Sequence, residues 1–401
     1  MPAGWRFIAQ RALPTEVILD WDVPFALTSN PVRDLSGPGS MTATIEPEYA
    51  RMLGADGEPI LQEWGTKVYL EVDGDIRWGG IVTKTSYDGP KATVVCEGLS
   101  SYPHGIPYED YMVSGPLITP KDPYEGKDKN HDGWVDGQKG KVKVPPPPKP
   151  YGGPRFDTYH AVRKIWEHVQ SRPYGNIGLK IDGHNHGELL GAQDGSDPWE
   201  LAWWNNPDCG QVLDTLARNA PFDWIETHAW SGGGNAIEHR IRLGTPRLGR
   251  KRTDLRFADG ENLAAIAKPE GMGDDFANEV IVLGKGEGRK MARAQVHRYE
   301  GNRLRRVTTV TDKTLSSAAA LTLRGNRELA GRTQALQIPA IQVIDHRNAE
   351  FGSWALGDDI RVQVHVPWVG DVDVWHRIVS DEVSADGTCV LKLKRSDSFH
   401  Y

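Results

Sequence analysis

The sequence predicts a mainly β chain with a few helices (α+β), in which one small β-domain occurs twice and an α+β domain is inserted between the copies. Three observations lead there. Between 357 and 366, Ile360, Val362, Val364 and Val366 alternate with Arg361, Gln363 and His365, the period of a strand with one buried face. Strands at 375–379 and 388–394 follow, and Asp386-Gly387 supplies a positive-φ turn between them. The second observation is a counterpart near the other end of the chain. Residues 65–72, an Asp73-Gly74 turn, 78–82 and 93–99 repeat the pattern at similar spacing, with Gly65 matching Gly357 and Trp78 matching Trp375. Third, apolar periodicity vanishes between 101 and 155, so the copies are split rather than tandem.

Composition bounds what these domains can do. A chain of 401 residues holds two or three domains with real cores. Its formal net charge of −7 gives no electrostatic case for a nucleic-acid binder. Fourteen tryptophans lean toward β structure and toward protein or sugar surfaces. Cys96, Cys209 and Cys389 are scattered, and two of them lie in expected strands, so buried free thiols are expected rather than a disulfide framework or zinc site. The first residues lack the apolar core of a signal peptide, and no apolar run reaches the ~18 residues of a membrane span, which points to synthesis in a cytoplasm.

Taken in order, 16–23 alternates with Val17, Leu19, Trp21 and Val23 on one side, and Met41, Ala43 and Ile45 alternate after a turn at 36–40. A short helix is expected at 48–53, and the first meander follows. The 105–155 segment reads as an exposed insertion, closing in the proline run 145–150 that favours a stiff polyproline II spacer. Asp157 is a natural N-cap for a helix burying Val162, Ile165, Trp166 and Val169 and stopping near Pro173. A second helix after Asp208 presents Val212, Leu213, Leu216 and Ala217, and strands follow at 223–227 and 239–243. Beyond Asn278, strands at 279–283 and 303–311 precede a helix over 315–332. That helix is capped by Thr314 or Ser316, with Ala319, Ala320, Leu323 and Ala330 on its apolar face, before a strand at 336–344. The expected domains are therefore 1–104, 105–155, 156–262 and 263–401.

The most specific local motif is Asp128-Lys129-Asn130-His131-Asp132-Gly133-Trp134-Val135-Asp136. Oxygen ligands at positions 1, 3, 5 and 9 with glycine at 6 match a calcium loop: Asp128, Asn130, Asp132 and Asp136 would offer side chains and Trp134 its carbonyl. Lys139 stands where the bidentate carboxylate belongs, so any Ca2+ affinity is expected in the weak ~10⁻⁴–10⁻³ M class, ordering the loop. His184 and His186 with Asp182 and Glu188 form a chemically allowed metal set, but two histidines at i and i+2 share a metal only on an extended strand, and a polar loop is the better reading. Trp199, Trp203 and Trp204 are expected to anchor a core or an interface. No nucleophile elbow, defensible Cys/His pair or His-Glu-x-x-His motif occurs, so no catalytic residue is assigned. Gly284-Lys285-Gly286-Glu287-Gly288 lacks the Gly-Lys-Ser/Thr of a phosphate loop and leads into another strand, which makes it a hairpin turn.

Asn278-Glu279-Val280-Ile281-Val282-Leu283-Gly284, the Ser/Ala-rich helix, Gly352-Ser353, Gly357-Asp358-Asp359-Ile360 and Arg377-Ile378-Val379 together resemble the tail hub proteins of long-tailed phages. These are the tail-associated minor tail proteins, similar in fold to the baseplate hub of contractile tails. Trp78-Gly79-Gly80-Ile81-Val82 and Cys96-Glu97-Gly98-Leu99 resemble the matching first domain, while 105–155 lies outside the likeness. The resemblance implies two tail-tube-like β-barrels per chain and a homotrimer whose six barrels mate with a sixfold tail tube. It further implies contacts to the tape-measure protein's tip and to downstream fibre or tip proteins, a place at the distal end of the virion's tail, and a path for DNA without sequence-specific binding or catalysis. The alternative is a phage cell-wall glycan enzyme or glycan-binding module working through 156–262, with Trp199, Trp203, Asp194 and Glu200 as its first residues.

Overall fold

The computed structural model describes the chain except residues 1–3, 14–16, 90, 119–123, 130–132, 144–150, 184–186, 192–197, 220–221, 235, 266, 272, 314, 334–336, 369 and 397–401. The proline run, Asn130, Asp132, His184, His186, Asp194 and Thr314 fall outside the described residues. Two compact units are distinguished: 1–102, 173–183 and 217–401 form the larger, and 103–172 with 184–216 the smaller.

In chain order the elements begin with β1 (Trp5–Arg11), β2 (Ile18–Asp20), β3 (Ala26–Asp34), β4 (Gly37–Ile45), α1 (Pro47–Ala50), β5 (Thr66–Val72), β6 (Asp75–Asp88) and β7 (Lys91–Glu97). Then come β8 (Tyr111–Ile118), β9 (Tyr151–Gly153), α2 (Thr158–Ser171), β10 (Leu179–Asp182), β11 (Trp199–Ala202), α3 (Cys209–Asn219), β12 (Asp223–Trp230) and β13 (Ile237–Gly244). The rest are β14 (Phe257–Ala258), β15 (Glu279–Leu283), β16 (Arg293–His297), β17 (Val307–Thr311), α4 (Ala318–Arg332), β18 (Ala340–Ile344), β19 (Asp359–Val366), β20 (Gly370–Val383) and β21 (Thr388–Arg395).

The same four-strand order occurs twice in the larger unit. β4-β7-β6-β5 and β18-β21-β20-β19 are both antiparallel throughout. In each, the third strand of the order is 14 residues long and carries a register shift, between Val82 and Lys84 in one copy and Ile378 and Ser380 in the other. Its first half therefore pairs with one neighbour and its second half with the other, the bend a bulge produces. Counting from Gly65 and Gly357 sets Leu70 against Val362, and these residues pair with Trp78 and Val374. The match of Trp78 to Trp375 is thus one residue out of step. Trp78 is core, whereas Trp375 is half-buried beneath the Lys251 ammonium, 4.2 Å from the ring centroid.

The strand β3 joins the copies into one 12-stranded sheet, pairing with β4 along its length and with β20 through Val32, Arg33 and Asp34. Each copy keeps its own core. Phe7, Met41, Val68, Leu70, Trp78 and Val94 fill the first, and Phe257, Ile341, Ile360, Val362, Ile378 and Leu391 the second. A fully buried side chain of this kind stabilises by about 1.5–3 kcal/mol. Cys96 and Cys389 lie within these cores, and with Cys209 are free and buried, as expected.

Two smaller layers complete the larger unit. β10-β13-β12 form one three-stranded sheet, with β12–β13 as its hairpin. In the other, β15 pairs antiparallel with β16 and parallel with β17, and α4 packs over Val280, Val282 and Val296 through Leu321 and Leu329. The turn after β15 is the hairpin read from sequence. Ser317 is the cap of α4, accepting from the Ala320 amide at 3.2 Å, and the buried face is Leu321, Gly325 and Leu329. Leu323, expected inside, is half-exposed because the sheet takes the stripe spaced four residues apart.

In the smaller unit β11-β8-β9 form a sheet, so the 105–155 segment contributes two strands to it. The Asp157 carboxylate caps α2 by accepting from the His160 amide at 2.8 Å, and Val162, Ile165, Trp166 and Val169 are all buried.

Candidate functional site

A cluster of buried titratable groups in the larger unit lies where the β12–β13 hairpin meets the first repeat. The Lys67 Nζ donates to the Ile177 carbonyl at 2.7 Å and sits 3.4 Å from His239 Nε2. Tyr69 lies parallel to the His239 ring at 5.5 Å and donates its hydroxyl hydrogen to Gln10 Oε1 at 2.9 Å. His239 Nδ1 is 3.2 Å from His228 Nδ1, and His228 Nε2 is 3.0 Å from Glu226 Oε1. The acceptor-only carboxylate fixes one end of the chain: His228 donates from Nε2 to Glu226. Glu226 is fully engaged, accepting from the Leu99 amide at 2.7 Å and from the Ser100 amide and hydroxyl at 3.0 and 2.8 Å.

Burial shifts two of these groups. It lowers Lys67 to about 7 and pushes His239, beside Lys67 and His228, far below the ordinary histidine range. Gly79 makes the close approach possible, since a Cβ there would stand 2.8 Å from both His228 and Tyr69. Glu226 and His228 line a cleft with Val32, Arg33, Asp34 and Trp78, while Lys67, Tyr69 and His239 are at most 2% exposed.

The other end of the hairpin is held by the second repeat. Buried Arg377 on β20 pairs with Asp223 at the start of β12 and donates to the carbonyls of Leu248 at 2.8 Å and Gly357 at 3.1 Å. Arg247 reaches Asp359 at 2.9 Å, Arg252 reaches Asp358 at 3.0 Å, and the Arg250 amide donates to Asp358 at 2.9 Å. Gly357-Asp358-Asp359 and Arg377, which the sequence singled out, therefore grip the segment that follows β13. Lys67 and Asp359 hold equivalent places, each two residues past the glycine that opens its repeat. The arrangement is a charged brace from one hairpin to both repeats. Its carboxylates accept from fixed donors on neighbouring segments, which suits holding.

The other sequence-selected residues are placed as follows. In the calcium-type loop Gly133 has φ +81°, its amide donates to Asp128 Oδ2 at 2.9 Å, and the Lys129 amide donates to Asp136 at 3.2 Å. Trp134 bridges to Lys143, and among the described residues no three acidic, His or Cys groups converge. Asp182 pairs with Arg240 at 3.0 Å. Trp203 and Trp204 are more than half exposed, correcting the expectation of a core role: Trp204 stacks on Tyr111 at 5.4 Å, while Leu201 and Ala202 take the buried places. Trp199 is half-buried, edge-on to Phe156 at 6.0 Å, and Glu200 is exposed.

No protein-family model and no curated protein sequence matches the chain. Among solved structures it is similar to the 43 kDa tail protein of prophage MuSo2 from Shewanella oneidensis, with TM-score 0.54 and 14% identity over 99% of this chain and 100% of that one. Prophage tail protein gp18 from Listeria monocytogenes EGD-e gives TM-score 0.49 and 11% identity over 98% and 95% of the two chains. A tail protein from Neisseria meningitidis MC58 gives 0.49 and 12% over 98% and 97%. The fold shared across the whole length is that of a prophage tail protein.

Proposed function

We propose that this chain is a structural component of a phage-type tail, acting as the hub at the distal tip within the virion. The observation that carries this is the four-strand order occurring twice in one chain, on a fold shared end to end with a prophage tail protein. A homotrimer of such chains presents six copies of one strand arrangement, the number needed to meet a sixfold tail tube, while its threefold end meets fibre or tip proteins. In this role the chain closes the tube, receives the tip of the tape-measure protein and opens a path for DNA, and its work is mechanical rather than catalytic. Electron microscopy of virions labelled with an antibody to this chain tests it. Label confined to the tail end far from the capsid is expected. Unlabelled particles with free protein abundant in the lysate would overturn the hub and favour glycan binding through exposed Trp203 and Trp204.

We also propose that Asp128, Asn130, Asp132, Asp136 and the Trp134 carbonyl take Ca2+ weakly, ordering the loop. Gly133 at positive φ supports this, since a calcium loop turns sharply at its sixth position. Millimolar Ca2+ should protect residues 124–143 from protease in the wild type and not in Asp128→Ala; equal cleavage with and without the ion removes the site.

A further inference from the structure

We propose that the β15–β16–β17–α4 layer is a binding surface for the phosphate backbone of duplex nucleic acid, indifferent to sequence. The chain's charge is segregated. Residues 279–332 hold twelve Lys/Arg against five Asp/Glu, net +7, while the remainder holds 35 against 49, net −14. A polyanion responds to the local field, not to the sum over the chain.

The geometry puts this charge on accessible surface. One face of the sheet is covered by α4. The exposed side chains of its two outer strands are Arg293, Gln295 and His297 on β16 and Val307, Thr309 and Thr311 on β17. At one end the 284–292 turn folds back, with its Gly284 amide on the Ala292 carbonyl at 2.7 Å, and Lys313 donates to the Gly286 carbonyl at 3.1 Å. Exposed Arg289, Lys290, Arg293 and Lys313 are thereby gathered at that end. Among the described residues no carboxylate pairs with Arg289, Lys290 or Arg293, whose guanidinium meets the neutral Gln295 at 3.1 Å. Arg298, Arg305 and Arg306, by contrast, have Glu300, Glu279 and Asp274.

The acidic remainder of a second copy is the competing occupant. A surface made for protein carries apolar side chains at its centre, and Val307 is the sole exposed apolar residue on these two strands. Nucleic-acid interfaces are polar and strongly positive, as this one is.

The test is fluorescence anisotropy of the full chain with a labelled 30-base-pair duplex of arbitrary sequence at about 50 and 200 mM salt. The wild type should bind and weaken steeply with salt. The triple variant Arg289→Gln, Lys290→Gln, Arg293→Gln should lose at least about tenfold in affinity, and its log–log salt slope should fall by up to about 3, near 0.9 per phosphate contact. Arg163→Gln with Lys164→Gln on α2 is the control and should leave binding unchanged, and circular dichroism checks folding of both. No salt-dependent binding by the wild type, or equal loss in the control, overturns the proposal. So does unchanged DNA binding by a triple variant that dissolves an oligomer formed by the wild type, which would assign the surface to a second copy.

Discussion

Lys67 shows how a residue escapes a sequence pattern. Its strand alternates, and Lys67 lies on the side that reads as solvent-facing. The β12–β13 hairpin covers that side, so β5 is buried on both faces and Lys67 is fully enclosed. Covering comes from residues more than 150 positions away in sequence, which no local period reports. The consequence is pH dependence. With Lys67 lowered from 10.5 to about 7, the folded state favours the neutral amine, so its contribution is complete above 10.5 and is lost as pH falls through 7. His239, also lowered, contributes fully above 6.5 and loses that contribution as pH falls further. The urea midpoint of the wild type should therefore rise from pH 5 to 9.5. Lys67→Met should flatten the upper part of the rise and His239→Gln the lower part; unchanged profiles would remove the brace's electrostatic role.

Elements were legible where one face decides their place. The strand alternation at Met41, Ala43 and Ile45 is buried as read, and Asp157 with its four apolar partners specifies α2 completely. The helix α4 was legible in extent and not in face, because its alanines fit a stripe on either side and the deciding residue is a glycine. A Cβ on Gly325 would stand 2.8 Å from a methyl of Val296 and 3.2 Å from one of Val282. Both are β-branched and stiff at χ1, so the sheet cannot yield cheaply. Alanine gains about 1 kcal/mol in helix propensity, whereas forcing an extra carbon into a packed interface costs about 1–3 kcal/mol. Gly325→Ala is expected to destabilise the β15–β17–α4 layer by about 1 kcal/mol, read as faster amide exchange in β15 and β16; slower exchange would show that the interface has slack. The repeat was legible in its first strand and slipped by one in its second, since the register shift between Leu70 and Glu71, found in the first copy alone, leaves no mark in apolar spacing.

At the scale of the molecule, net charge concealed its own distribution: a total of −7 contains a segment of +7. The repeat, by contrast, survived averaging because strand order is written in glycine and turn positions. How the copies are joined is a matter of load. The seam between β3 and β20 has three residue pairs, against eight between β19 and β20. Arg33 on Asp381 and Asn30 on Glu382 and Ser384 reinforce it. The β12–β13 hairpin, fixed by Tyr69 and His239 at one repeat and by Asp223 and Arg377 at the other, is a second path for the same force. A pull that separates the copies must unzip the seam and draw buried ion pairs out of their sockets together. The joint is splinted at two places rather than hung on one.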